Sequence, residues 1–441
     1  MNTPILDFVN AYADSGTARF HMPGHKGHGI YAPDITEIRG ADELYRAEGI
    51  IAESEANATA LFGSAHTYYS TEGSTLAIKA MLTLAAAERP REERPLFLAA
   101  RNVHKAFVYA LAMIDGDVEW LYTEGGHICQ CPITPAEAEA AILACRRLPD
   151  GLYVTSPDYL GHMADIKGLA AVCDRLGIPL LVDNAHGAYL AFLEENRHPL
   201  ALGASMCADS AHKTLPVLTG GAYLHIAKKA AQFCPRARST MAMYASTSPS
   251  YLILQSLDAC NRTLSSADGQ RFARIAAFVK DARAMLAAKH IVTEGDEPFK
   301  LVINAPASGY DGCALADFFR GAGIEPEFCD RDYTVLMLSA SNDSHDLAVL
   351  SDALSALVAR PPIHTTAVQA PRLKAAMTIR EAVFAPFETI PVAKAEGRIS
   401  ALPTVSCPPA VPIAVSGEII DAACIDALTA YGITHIDVVV G

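Results

Sequence analysis

Charge is scarce in this chain, and positive charge scarcer still. Charged residues make up 19% of its 441 residues, with 35 lysines and arginines against 49 acidic side chains, a net charge of −14. A chain so short of cations lacks what phosphate backbones and anionic bilayers attract, which argues against nucleic acid and membrane as partners. Long apolar runs are missing too: none approaches the ~20 residues of a membrane span, and the chain opens without a basic-then-apolar signal. The expectation is a soluble, cytoplasmic protein. The eleven cysteines have no repeating spacing, the pattern of reduced thiols rather than of a disulfide framework. Within HICQC, His127, Cys129 and Cys131 lack a second ligand pair at finger-like spacing, so they read as unligated and no metal is expected. Internal repeats and low-complexity segments are absent.

What the chain has is apolar substance and order. Half of it is hydrophobic, enough for a large core and two or more domains. A helical stretch, ILDFVNAYAD, precedes FHMPGHKGHGIYAPD, which is too punctuated by Gly, Pro and His for a regular element. Then short apolar runs (PLFLAA, GLYVTSP, PLLVDNAH, GAYLHIA) alternate with helical patterns (TLAIKAMLTLAAAE, KAFVYALAMI, KGLAAVCDRLG). This alternation predicts βαβ units and a mostly parallel sheet covered on both faces. After the long helical pattern QRFARIAAFVKDARAMLAAK, a second set follows: KLVINAP, CALADFFRGAG, YTVLMLSAS and HDLAVLSDALSALVA. The expected fold is α/β, a large domain followed by a smaller α/β domain. Its parts are an N-terminal arm (1–56), the large domain (57–260), the small domain (261–360) and a C-terminal extension (361–441) that includes the Pro-rich VSCPPAVPIAVSGE.

Loops at the carboxyl ends of parallel strands are where such sheets bind ligands. In STEGSTLAIKAML, Gly73, Ser74 and Thr75 open a helix, offering N–H groups and hydroxyls to a phosphate; ordinary N-capping has the same composition. In PLLVDNAHGAYL, Asp183 ends an apolar strand, where a carboxylate needs a partner: the protonated ring nitrogen of a pyridine cofactor, or a neighbouring loop. His186 follows it, a ligand contact or a satisfied core histidine. In DSAHKTLPVLTGG, Lys213 stands among small, hydroxylic and apolar residues. Desolvation there favours the neutral amine that attacks carbonyls. Ser210 and His212 flank it. In RNVHKAF, His104 is placed either to lie over a planar ring or to cap a helix. Taken in order, a phosphate loop, a stacking histidine, an acid at a strand end and a lysine are what a pyridoxal-phosphate (PLP) enzyme of the aspartate-aminotransferase fold requires.

HMPGHKG, TEGSTLAIKAML, RNVHKAF, SPDYLGHMADI, LVDNAHGAYL, SAHKTLPVLTGG, STSPSYLILQSLDA and FAPFETIPVAKAEGRIS, spread over nearly the whole chain, resemble the ornithine/lysine/arginine decarboxylase family in its compact form. The resemblance implies the aspartate-aminotransferase (fold type I) architecture and pyridoxal 5'-phosphate as cofactor. It implies that Lys213 carries the cofactor as a Schiff base, that Asp183 binds the pyridine nitrogen and that His104 stacks on the ring. Ser74, Thr75, Ser210 and His212 then serve the phosphate. Three positions depart from the family's usual pattern: Glu72 for Asn, Asn184 for Glu, and Gly220 for Gln. They neighbour the site, and they bear on which substrate is taken.

The function implied is decarboxylation of a basic amino acid to its amine, with Lys213 or His104 returning a proton to Cα. A basic side chain calls for an acidic or carbonyl-rich pocket, for which Glu72, Asp330 and Glu381 are candidates. An aminotransferase is the rival enzyme, with Arg380 and Arg398 available as a carboxylate fork. A catalytically silent regulatory paralogue is the rival from another class. The expected partners are a small-molecule amino acid and a second copy of the chain, with residues 246–251 (STSPSY) crossing into the neighbouring site.

Overall fold

The computed structural model describes residues 1–88, 93–123, 126–266, 269–365, 367–405 and 410–441; part of the Pro-rich VSCPPAVP lies outside them. Among the described residues, seven strands build the mostly parallel sheet layers of the α/β fold: β1 (His66–Ser70), β2 (Leu96–Ala100), β3 (Asp117–Leu121), β4 (Gly151–Thr155), β5 (Leu180–Asp183), β6 (Met206–Asp209) and β7 (Ala222–Ile226). The chain divides into two compact units, each made from two stretches, 1–90 with 166–271 and 91–165 with 272–441.

In the first unit the strands run in the order β1, β7, β6, β5. β5 and β6 pair in parallel with Asp183 opposite Ala208, whereas β7 is antiparallel to both β6 and β1. All residues of β5, β6 and β7 are buried, the condition that makes strands read as unbroken apolar runs. Helices Ile50–Phe62, Gly73–Ala87, Ile166–Leu176 and Tyr251–Ser265 belong to this unit. The helix Pro4–Asp14 begins it, and its N-cap Thr3 makes no side-chain cap bond. Asp258 supplies the missing acceptor: its Oδ2 accepts from the Ile5 N–H (2.9 Å) and the Leu6 N–H (3.0 Å), and its Oδ1 accepts from the Ser54 hydroxyl (2.6 Å). Two of the orphan donors at the helix start are thereby satisfied. The stretch FHMPGHKGHGIYAPD has no strand and only a short 3₁₀ turn at Gly29–Tyr31, as its composition predicts.

In the second unit β2 lies between β4 and β3, parallel to each. A second sheet has the order β10, β11, β9, β8, with β8 (Thr293–Glu294), β9 (Lys300–Asn304), β10 (Phe328–Cys329) and β11 (Tyr333–Met337) all antiparallel. The C-terminal stretch adds two antiparallel pairs, β12 (Phe387–Pro391) with β15 (His435–Val439) and β13 (Thr404–Val405) with β14 (Pro412–Ala414). Val302 and Val335 of the second sheet share one apolar cluster with Ile413, Leu428, Ile436 and Val438. Burying each such side chain contributes about 1.5–3 kcal/mol, so this cluster anchors the C-terminal stretch to the small sheet.

β1, β3 and β6 are not evident in the apolar pattern. HTYYS and DVEWL carry polar residues, and MCAD is short; their strand character comes from pairing with the buried strands β2, β5 and β7 beside them.

Candidate functional site

The first unit holds eight of the predicted residues, Gly73, Ser74, Thr75, Asp183, His186, Ser210, His212 and Lys213, at the ends of its strands and in the turns that follow them. Asp183 closes β5, is 2% exposed, and accepts at Oδ1 from the Ala185 N–H at 3.1 Å. The turn after it carries His186, whose Nε2 lies 3.1 Å from Lys213 Nζ. Lys213 stands in the single helical turn Ala211–Thr214 that follows β6. Ser210, just before that turn, donates from Oγ to Ser74 Oγ at 2.7 Å. Ser74 and Thr75 open the helix Gly73–Ala87, whose N-cap residue, Glu72, makes no side-chain cap bond. The ordinary-capping alternative therefore does not hold for this helix. Its N-terminus offers N–H groups and two hydroxyls. His212 donates from Nδ1 to the Gly221 carbonyl at 3.0 Å. Burial holds its pKa below the ordinary histidine value, and the Lys213 charge adds to this.

Gly220 explains its own departure. Its carbonyl accepts from the Gly73 N–H at 2.7 Å, its φ is +100°, and a Cβ there would stand 2.9 Å from the Thr71 carbonyl oxygen. A glutamine does not fit this backbone. Glu72 is exposed and accepts from the Ser246 N–H at 2.6 Å.

His104 belongs to the second unit. It is the N-cap of helix Lys105–Ile114, and its Nδ1 accepts from the Ala106 N–H at 3.1 Å. Capping is thus one of its roles, and the bond fixes the tautomer with the proton on Nε2 when the ring is neutral. Asp330 pairs with His127 Nε2 at 3.0 Å, and Tyr431 Oη lies 3.0 Å from the same nitrogen. His127 is thus spoken for by a carboxylate and a phenol, while Cys129 and Cys131 are free thiols. Glu381 is the N3 member of a capping box with Thr378. Arg380 donates to the Ala112 and Met113 carbonyls, and Arg398 to Glu388 and the Val439 carbonyl. Neither arginine offers an open fork.

The profile of the Orn/Lys/Arg decarboxylase major domain matches residues 3–293, and that of the same family's C-terminal domain matches residues 363–432. The chain belongs to the ornithine/lysine/arginine decarboxylase family. It is an amino-acid decarboxylase. It is 29% identical to an arginine decarboxylase of Halalkalibacterium halodurans, over 95% of this chain and 91% of that one. It is 27% identical to an uncharacterized protein of Bacillus subtilis, over 95% and 92%. Among solved structures, a lysine decarboxylase of Francisella novicida superposes with a TM-score of 0.80 at 17% identity, covering 99% of this chain and 81% of that one. A ureidoglycine–glyoxylate aminotransferase of Bacillus subtilis reaches 0.54 at 16% identity, covering 69% and 83%. These structural likenesses establish the fold, that of the PLP-dependent transferases.

The decarboxylase's first unit fits that cofactor. It presents a lysine beside an imidazole nitrogen, a buried carboxylate at a strand end, and a hydroxyl pair at a helix N-terminus that no side chain caps. No helix among the described residues is long and apolar enough to cross a membrane. The sequence reading missed one buried group in this unit. Asp209, His198 and His225 are 0%, 1% and 0% exposed and hydrogen-bonded together. Part of a signal was present: His225 stands inside the apolar run AYLHIA and Asp209 ends MCAD, where each needs a partner, but His198, in ENRHPL, carries no such mark.

Proposed function

We propose that this decarboxylase acts on a basic amino acid, lysine, ornithine or arginine, with PLP held covalently at Lys213. The observation that carries the cofactor assignment is the 3.1 Å approach of Lys213 Nζ to His186 Nε2, in the same unit as Asp183 and the Ser210–Ser74 pair. When bound, PLP supplies the electron sink that allows the bond between Cα and the carboxylate to break. His186 gives the Lys213 ammonium a nearby proton acceptor, so that the amine is nucleophilic. Asp183 holds a negative charge where the protonated ring nitrogen needs one. Ser74, Thr75, Ser210 and the helix N-terminus bind the phosphate, and His212, whose Nδ1–H is taken by the Gly221 carbonyl, joins them as a donor at Nε2 when the phosphate's charge draws a second proton onto the ring. His104 takes the ring-stacking role on the family resemblance. Once carbon dioxide has left, Lys213 Nζ or His104 returns a proton to Cα.

Decarboxylation is favoured over transamination because Arg380 and Arg398 are committed to backbone carbonyls and Glu388. The basic substrate is supported by relatives named arginine decarboxylases and by the net charge of −14, which steers cations. The test is carbon dioxide release by the purified protein over lysine, ornithine, arginine and norleucine. Norleucine keeps the chain of lysine and removes its charge, so its rate is expected to fall steeply. Equal rates for lysine and norleucine, or formation of a keto acid, refute the reading.

A further inference from the structure

The Asp209 cluster is not used by the chemistry above, yet it lies between the two loops that carry it. Asp209 is the last residue of β6. Its Oδ2 accepts from His198 Nε2 at 2.9 Å and His225 Nε2 at 3.2 Å, and its Oδ1 from Asn184 Nδ2 at 2.8 Å. The proton positions follow from the outer partners. His198 Nδ1 accepts from the Leu200 N–H at 3.3 Å, which leaves the proton on Nε2. His225 Nδ1 lies 2.9 Å from Thr67 Oγ1, itself 2.8 Å from Ser64 Oγ. The ionised carboxylate can only accept, so His225 Nε2 is a donor, and in the neutral ring Nδ1 accepts from the Thr67 hydroxyl. One ionised carboxylate with three N–H donors satisfies the group without a buried cation. His198, Cys207 and Asp209 gather within 4.8 Å, close enough for a metal ion, but both imidazole Nε2 atoms carry protons directed at Asp209 and have no lone pair to give.

The carboxylate ties together two loops. Asn184 follows Asp183, and its carbonyl accepts from the Gly187 N–H at 2.8 Å, closing the turn that carries His186. Asp209 precedes Ser210, whose carbonyl accepts from the Lys213 N–H at 3.1 Å. The carboxylate fixes which way the Asn184 amide faces, since only its Nδ2 can donate to Asp209, and its Oδ1 then lies over Gly187, where a Cβ would stand 2.0 Å away. We propose that Asp209 is a positioning residue of this decarboxylase, its buried carboxylate setting the spacing between the Asp183–His186 loop and the Ser210–Lys213 loop. This rests on the reading given above. It also accounts for the Asn184 departure. A glutamate at 184 would point a second carboxylate at Asp209, whereas an amide completes it.

The test is the pair of variants Asp209→Asn and Asn184→Asp/Asp209→Asn. In the single variant two amide NH₂ groups meet. In the double variant the bond re-forms with donor and acceptor exchanged. The amide introduced at position 209 then donates to the carboxylate introduced at position 184, while the amide oxygen still accepts from both histidines. The single variant is expected to weaken PLP binding, titrated into cofactor-free protein, and to lower kcat about tenfold at little-changed KM, as misplacement of reacting groups does. The double variant is expected to recover both to within about threefold. A purely structural role would lower the melting temperature and leave PLP affinity and kcat of the folded protein unmoved; that result overturns the proposal, as does a double variant no better than the single, or stoichiometric zinc in the purified protein. A parent protein that binds no PLP refutes the functional reading itself, a different outcome from a PLP-binding parent whose Asp209→Asn variant behaves identically.

Discussion

Lys213 and Asp183 make the sharpest demands on single atoms. Lys213→Ala removes the amine that would anchor PLP. The variant is expected to lose the yellow absorbance that survives desalting in the parent, and borohydride reduction followed by peptide mapping should label Lys213 and no other lysine. Asp183→Asn is nearly isosteric and is expected to keep the fold. Without the carboxylate the pyridine nitrogen loses its proton, and the ring becomes a poor electron sink. Turnover should fall by about 10²-fold or more; near-parental kcat would remove Asp183 from the role. The bond from Ala185 N–H to Asp183 Oδ1 does not involve Lys213, so the two variants report separate functions.

At the scale of elements, two attachments are open to measurement. The helix Pro4–Asp14 depends on Asp258 for the acceptor that its own N-cap lacks. Asp258→Ala leaves buried donors unmet, and is expected to cost roughly 1–3 kcal/mol and to open the arm to limited proteolysis. Unchanged midpoints and digestion patterns would contradict that account. The loop after β4 is held differently. His162 Nδ1 lies 3.1 Å from Asp158 Oδ2, and its Nε2 lies 3.5 Å from Glu294 Oε2. Burial disfavours the charged ring, but the hydrogen bonds and charges of Asp158 and Glu294 outweigh it and raise the pKa to about 10. A folded pKa above the unfolded value of about 6.5 means this contribution is fully present below that pH. It is lost as pH rises toward 10. Denaturation midpoints should therefore fall over that interval, and His162→Gln should flatten the slope.

For the whole molecule, the arm offers a surface in want of cover. Phe20 is 96% exposed and Ile30 85% exposed, with Met22 and Tyr31 beside them in sequence. Apolar surface of this kind is characteristic of an interface, and we expect at least a homodimer in solution. Residues 246–251 pack at both ends on their own unit, Ser246 against Glu72 and Tyr251 against Asp42, so the arm is the better candidate for the contact than the STSPSY stretch. Light scattering at working concentration checks this. A fully active monomer would show that the exposed side chains have another purpose, and Phe20→Ser/Ile30→Ser should shift a true dimer toward monomer.

Local patterns determined much of this protein. Apolar runs such as LLVD and AYLHI are legible as strands because burial on both faces leaves them apolar but for Asp183 and His225, and KAFVYALAMI is a helix in sequence and in structure. Gly73, Ser74, Asp183 and Lys213 could be singled out because a hydroxyl-rich helix start, a carboxylate ending an apolar strand and a lysine among small residues are each costly unless used. The tertiary structure decided what local patterns cannot carry. MCAD is a strand because β5 and β7 flank it, not because four residues specify one. Arg380, Arg398 and Glu381 look available in the sequence, and only their bonds to distant carbonyls, to Glu388 and to a helix cap show them committed. Gly220 is intelligible once Thr71 and Gly73 are seen against it. Asp209 depends on His198 and His225, separated from it by 11 and 16 positions, and on Asn184 across the sheet. The physical reason is the same in each case: a hydrogen bond between distant residues is set by how strands and loops pack, and no periodicity along the chain records it.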